Sequence, residues 1–312
     1  MSKSLLHISR AIGLMVCLSQ IASAQPPAVP GRLVDVGGYR LHIHCTGMKA
    51  RGTPTIVFDS GTGGFSLEWS GIQQALSGRY RVCAYDRAGY GWSEYGPLPR
   101  TSKRIANELN TLLTNSHTPG PYVLVGHSFG GYTAQYFARE YPQRTAAIVL
   151  IDSSHPEQTL RLPEPKQIPR RTHSRNDRSY HNARSYTVSK PILHKNYPQA
   201  VAELAWLMLS TRKHTRTWRE EMMSLPISGV ELSHAGPIPA DIPVIVITRG
   251  KRVWPETERG NEMERIWMEL QDELSTFGGR PVHLIAEGSG HSIHLDQPVY
   301  IINALDVLFD GF

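Results

Sequence analysis

The chain has 312 residues, 40% of them hydrophobic, with 33 Lys and Arg against 27 Asp and Glu and a formal net charge of +6. Apolar content at that level, with both charge signs present, excludes a disordered chain and suffices for one large folded core carrying an insertion.

At the N-terminus Lys3 and Arg10 precede an apolar run from Ala11 to Ala22, and Ala22-Ser23-Ala24 is a small-x-small signal before Gln25. This is the pattern of a cleaved secretory signal peptide, residues 1–24. The apolar run falls short of the roughly 20 residues that span a bilayer, which ranks cleavage above a retained anchor. Cys17 lacks the small residue expected ahead of a lipidated cysteine. Residues 25–31 read as a Pro-rich linker, and the chain is expected to be secreted or periplasmic. After cleavage it keeps Cys45 and Cys83, an even pair that an oxidising compartment can join.

Past the linker, short apolar runs alternate with helical patterns, the signature of an α/β sheet with crossover helices. Strands are predicted over 32–36, 40–45, 55–58, 80–85, 122–125, 146–151, 242–248 and 281–286. The first two, joined at Gly37-Gly38, read as a hairpin, and the last five or six should run parallel because long crossovers separate them. A helix over 101–115 carries Ile105, Leu109, Leu112 and Leu113 on one stripe. Another over 261–276 carries Met263, Ile266, Trp267, Leu270 and Leu274 behind an Asn-x-x-Glu start. Both stripes are read as core packing.

Between 153 and 240 the alternation stops. A Pro/Arg-rich stretch, 162–191, is followed by helix-like runs at 200–209 and 217–223, so 153–240 reads as a cap inserted between strands 6 and 7, with 32–152 and 241–312 as the core. The cap holds 13 Lys and Arg against 7 Asp and Glu. Its basicity reads as a solvated surface, or as one that attracts anionic substrates or contacts an anionic membrane surface. No nucleic-acid-binding motif accompanies it, and nucleic acid is set aside as a partner.

The pentapeptide Gly126-His127-Ser128-Phe129-Gly130 follows the apolar run 122–125 and opens an amphipathic stretch over 132–140. A strand, a sharp glycine-framed turn and a helix are what a G-x-S-x-G nucleophile elbow requires, with Ser128 at its apex. A serine hydroxyl needs a histidine base, and the base needs an acid to hold its tautomer. His291, in the loop Gly288-Ser289-Gly290-His291 after the last predicted strand, is the favoured base over His294. The loop after strand 7 contains no carboxylate until Glu256. Asp152 ends the strand after the elbow, so a βαβ unit returns it to the sheet edge that carries Ser128. Asp152 is the favoured acid and Glu256 the alternative. Two backbone N–H groups must stabilise the oxyanion, one from Phe129 and one from the glycine-rich turn 60–64, where Thr62 is the expected donor. No nucleotide fingerprint is present, and no metal or organic cofactor is expected.

In order and spacing, the turn 60–64, Asp86-Arg87-Ala88-Gly89-Tyr90-Gly91-Trp92-Ser93, the elbow and Ser289-Gly290-His291 resemble the α/β-hydrolase superfamily. The resemblance implies a mostly parallel eight-stranded sheet with helices on both faces. It implies Ser128 as nucleophile, His291 as base, and Thr62 and Phe129 as oxyanion donors, with 86–93 as a mainly structural loop. The acid departs from the commonest family position, although some capped members place it where Asp152 stands. The hydrolase strand order makes the strands of Cys45 and Cys83 neighbours, so a disulfide between them is predicted, with two buried thiols as the alternative. The expected activity is hydrolysis of a small-molecule carboxylic ester through an acyl-enzyme. Amide, peptide or thioester hydrolysis on the same triad, and a non-catalytic small-molecule-binding protein, are the alternatives. Trp206, Leu207, Met208 and Trp218 of the cap are candidates for an acyl pocket or for cap packing.

Overall fold

Branched and aromatic runs build eight strands, β1 (Arg32–Asp35), β2 (Arg40–Thr46), β3 (Thr55–Asp59), β4 (Val82–Tyr85), β5 (Tyr122–His127), β6 (Thr145–Ile151), β7 (Val244–Arg249) and β8 (Pro281–Ala286). They lie in one sheet in the order β1-β2-β4-β3-β5-β6-β7-β8. The structure, a computed structural model, describes residues 29–163, 193–279 and 281–311. The predicted leader, most of the linker and residues 164–192, which include most of the Pro/Arg-rich stretch, lie outside the described residues. Strands β1 and β2 form the hairpin, β2 also meets β4 antiparallel, and β3 to β8 run parallel.

The central strands are apolar on both sides because helices cover both faces. Val123 and Val125 of β5 pack into one cluster with Ile72 of α1 (Ser70–Leu76) and Ile301 of α9 (Pro298–Phe309). Leu124, between them, turns to the opposite cluster with Leu109 of α2 (Ser102–Asn115) and Phe137 of α3 (Phe129–Glu140). Each such side chain contributes about 1.5–3 kcal/mol by leaving water. Alternation within a continuous apolar run therefore holds both layers to one sheet. Among the described residues no helix is long and apolar enough to cross a membrane.

Two helices differ from their sequence patterns. The predicted helix at 261–276 is α7 (Glu258–Ser275), and it starts three residues earlier because Thr257 accepts the Gly260 N–H at 3.1 Å. Asn261 thus lies inside the helix rather than at its cap. Helix α6 (Arg212–His234) is far longer than the predicted run 217–223 and contains Pro226. Its true start is Thr211, whose side chain accepts the His214 N–H at 3.1 Å. The chain between β6 and β7 also forms α4 (Gln158–Arg161) and α5 (Ala202–Leu209), and Ala205 of α5 packs with Phe65, Leu67 and Tyr90 in a small separate cluster.

Cys45 lies opposite Cys83 in the β2–β4 ladder, and the two form a disulfide with their Cα atoms 4.0 Å apart. It spans 38 positions of sequence. Closing a loop of that size restricts the unfolded chain by up to about 4 kcal/mol. Reduction, or Cys83→Ser, is expected to lower the unfolding free energy by about 2–4 kcal/mol in urea denaturation. Equal midpoints with and without reductant would show that the bridge restrains nothing.

Candidate active site

Strand β5 ends in a left-handed residue. Ser128 has φ 50° and ψ −119°, directly ahead of α3. A non-glycine residue there carries about 1–3 kcal/mol of strain and persists only where its surroundings hold it. The Ser128 N–H donates to the Ile151 carbonyl at 3.1 Å, and the Ser154 N–H donates to the Ser128 carbonyl at 3.0 Å. The flanking glycines are obligatory. A Cβ on Gly126 would stand 2.5 Å from the Gly130 carbonyl oxygen, and one on Gly130 would stand 2.4 Å from that of Asp59.

Asp152 follows β6 with φ 38° and is fully buried. Its Oδ2 accepts from His291 Nδ1 at 2.5 Å and from Arg249 Nη1 at 2.9 Å, while Oδ1 accepts from Trp267 Nε1 at 2.9 Å. Burial alone would push the carboxyl up. The His291 hydrogen bond and charge, then Arg249 and Trp267, outweigh burial and hold it below the usual 3.8. The carboxylate orients His291 with Nδ1 as the donor, which leaves the lone pair of the neutral ring on Nε2. Ser128 and His291 line one cavity of about 680 Å³.

His294 takes no part in that hydrogen bond. It is buried, stacked on Trp69 at 4.7 Å between ring centroids, with Nε2 3.7 Å from Glu68. Glu256 also stands apart, 83% exposed at its side chain and 3.9 Å from Arg252. The structure brings Asp152 to His291 and leaves the alternative acid on the surface.

The turn after β3 is tied down by side chains. Arg87 is buried and donates to the Ser60 carbonyl, to the Gly61 carbonyl at 2.8 Å, to Asp59 at 2.5 Å and to Glu221 of α6 at 2.7 Å. Tyr90 Oη accepts the Gly63 N–H at 3.2 Å, and His214 Nε2 donates to the Gly63 carbonyl at 2.7 Å. In a planar trans peptide the C=O and the following N–H point opposite ways. The bond from Arg87 to Gly61 therefore sets the direction of the Thr62 N–H. Thr62 lines the cavity with Ser128. Phe129 is the first residue of α3, where backbone N–H groups have no partner within the helix.

Of the four apolar cap candidates, Trp218 lines the cavity and Met208 packs beside the Phe65 cluster, whereas Leu207 is exposed. Met222 and Leu225 of α6 line the cavity as well. The sequence reading missed Arg249, Trp267 and His127. Arg249 opens the loop searched for a carboxylate, and a cation there was the available signal. Trp267 sat on a stripe read wholly as core. His127 hides inside the elbow motif, where its buried Nε2–H donates to the His291 carbonyl at 2.9 Å.

The chain is 25% identical over 300 residues to a Hormonema carpetanum protein named "Probable transporter efuK", covering 88% of this chain and 42% of that one. It is 33% identical over 130 residues to the uncharacterised Bacillus subtilis protein YbdG, covering 41% and 39%. The chain thus spans about two fifths of the length of these curated relatives. In fold it is similar to a thermophilic esterase from Thermogutta terrifontis, with a TM-score of 0.60 and 17% identity over 91% of this chain and 99% of that one. The profile of the Alpha/beta hydrolase family matches residues 56–304, which include both strand ends, the elbow and His291. The chain belongs to the alpha/beta hydrolase family.

Proposed function

We propose that this protein is an exported serine hydrolase of small carboxylic esters. The observation that carries the reading is the buried Asp152 carboxylate bonded at 2.5 Å to His291, which shares a cavity with Ser128 at its left-handed turn. Ser128 attacks the acyl carbon while His291 Nε2 takes the hydroxyl proton, and the imidazolium is stabilised by Asp152. The Thr62 and Phe129 N–H groups receive the oxyanion, each donor contributing on the order of 3 kcal/mol to the barrier reduction. His291 returns the proton to the leaving alcohol, and a water activated by the same ring releases the acid and Ser128.

A cavity of about 680 Å³ bordered by Tyr197, Leu209, Trp218, Met222 and Trp254 suits an apolar acyl or alcohol group of modest size. The cap segment between β6 and β7 sets that selectivity. Export is supported by the signal-peptide pattern read over residues 1–24 and by the Cys45–Cys83 bridge.

Ser128→Ala is expected to lower kcat/KM for a short-chain p-nitrophenyl ester at least about 10³-fold. Unchanged turnover would sink the assignment. Asp152→Asn should cost about 10³–10⁴-fold in kcat, with Glu256→Gln within about twofold of wild type; the reverse pattern would transfer the acid to Glu256.

The pH profile supplies a further check. Asp152 titrates below 3.8, and burial, then the charges of His294 and His291, hold the His127 ring well below 6.5 and neutral. The acid limb of log kcat/KM is then expected to have a slope of about one. A slope of two would show that a second group must lose its proton.

A further inference from the structure

Beside the elbow, three side chains that the proposed mechanism does not use converge from separate segments. Glu68 comes from the short helix Ser66–Trp69 after the glycine turn, His127 from the end of β5, and His294 from the short helix α8 (Ile293–Asp296) that follows His291. One potential ligand atom from each lies within 4.8 Å of the others. Glu68 Oε1, His127 Nδ1 and both ring nitrogens of His294 are buried without a hydrogen-bond partner among the described residues. His127 and His294 are 6% and 3% exposed. Buried polar atoms are almost always paired, so this concentration in one place calls for a ligand.

We propose that Glu68, His127 and His294 form a binding site for a divalent transition-metal ion of the zinc class. Two imidazoles and one carboxylate are a donor set that Zn²⁺ and Co²⁺ accept readily. The tautomer of His127 is already that of a ligand. Its Nε2–H donates to the His291 carbonyl at 2.9 Å, which leaves the lone pair on Nδ1. This is the outer hydrogen bond that metal-bound histidines use to fix ring orientation. His294 is held by its rings' neighbours, with Trp69 at 4.7 Å and His127 at 4.5 Å between centroids.

Metal–ligand bonds of about 2.0–2.1 Å at the tetrahedral angle need donors about 3.4 Å apart. Glu68 Oε1 and His294 Nε2 are 3.7 Å apart, close to that spacing, and the three donor atoms all lie within 4.8 Å of one another. All three residues line the cavity that holds Ser128, which gives an ion an entry path and room for a fourth ligand. A second group of three, His155, Glu157 and Glu273, lacks this character. There the Glu273 carboxylate is already bound by Arg161 at 2.7 Å through both oxygens.

The test is equilibrium dialysis of the full chain against Co²⁺ and Zn²⁺, with metal analysis and visible absorption. About one Co²⁺ per chain is expected, with ligand-field bands that Zn²⁺ abolishes by displacement. His294→Ala and Glu68→Gln should each weaken binding at least about tenfold while keeping the wild-type circular dichroism. Glu68→Gln, nearly isosteric, carries the test if His294→Ala fails to fold. Co²⁺ binding far below one equivalent, or variants that bind as tightly as wild type, would overturn the site. The inference stands apart from the ester reading, since Ser128→Ala should bind metal as wild type does even where it hydrolyses nothing.

Discussion

A carboxylate buried away from water must be met by donors or it will not stay charged, and Asp152 is the place where the fold answers that demand. Its partners come from the end of β7, from α7 and from the loop after β8, so four parts of the chain must arrive together before the charge is satisfied. Arg249 by itself would drain the carboxylate's pull on an imidazolium. Glu264 lies 2.9 Å from the other side of that guanidinium and restores a net negative charge to the group. The sequence Glu264, Arg249, Asp152, His291 is therefore one electrostatic unit, with one surplus negative charge facing the His291 ring.

The second framework is mechanical. Arg87 is held between Asp59 and Glu221, which makes the β3 turn and helix α6 a single buried assembly. Removing one partner of such a pair strands the other charge in the core and costs about 3–5 kcal/mol. The residues 86–93, structural in the sequence reading, thus act on the turn that presents the Thr62 N–H. The chain between β6 and β7 does more than cover the cavity, because His214 and Glu221 brace that turn from above.

Much of this was legible in the sequence because it depends on local signals. All eight strands follow from apolar runs punctuated by glycine and proline, and the elbow follows from two glycines that tolerate no Cβ. The pairing of Cys45 with Cys83 followed once the strand order was assumed. What escaped reading depends on side chains whose partners are distant in sequence. Arg249 meets Asp152 across 97 positions, and Trp267 meets it across 115, so neither pattern nor spacing announces the contact. Trp267 is a core residue by periodicity and a hydrogen-bond donor by position. The helix boundaries failed for another reason. A threonine cap at 211 or 257 sits amid polar residues that offer several equivalent starts, and Pro226 reads as a breaker although α6 continues through it.

Ser128 and Asp152 both leave neighbouring strands through positive φ angles, and the backbone bonds between Ser128, Ile151 and Ser154 lock the two turns to one another. Ser128 and Asp152 therefore move as part of the sheet. His291 does not share that rigidity, since it rides on a loop and its side chain is 40% exposed. Two hydrogen bonds restrain it: the carboxylate on Nδ1 and the His127 ring on its carbonyl oxygen. His127 precedes Ser128, so this tether runs from the elbow itself to His291.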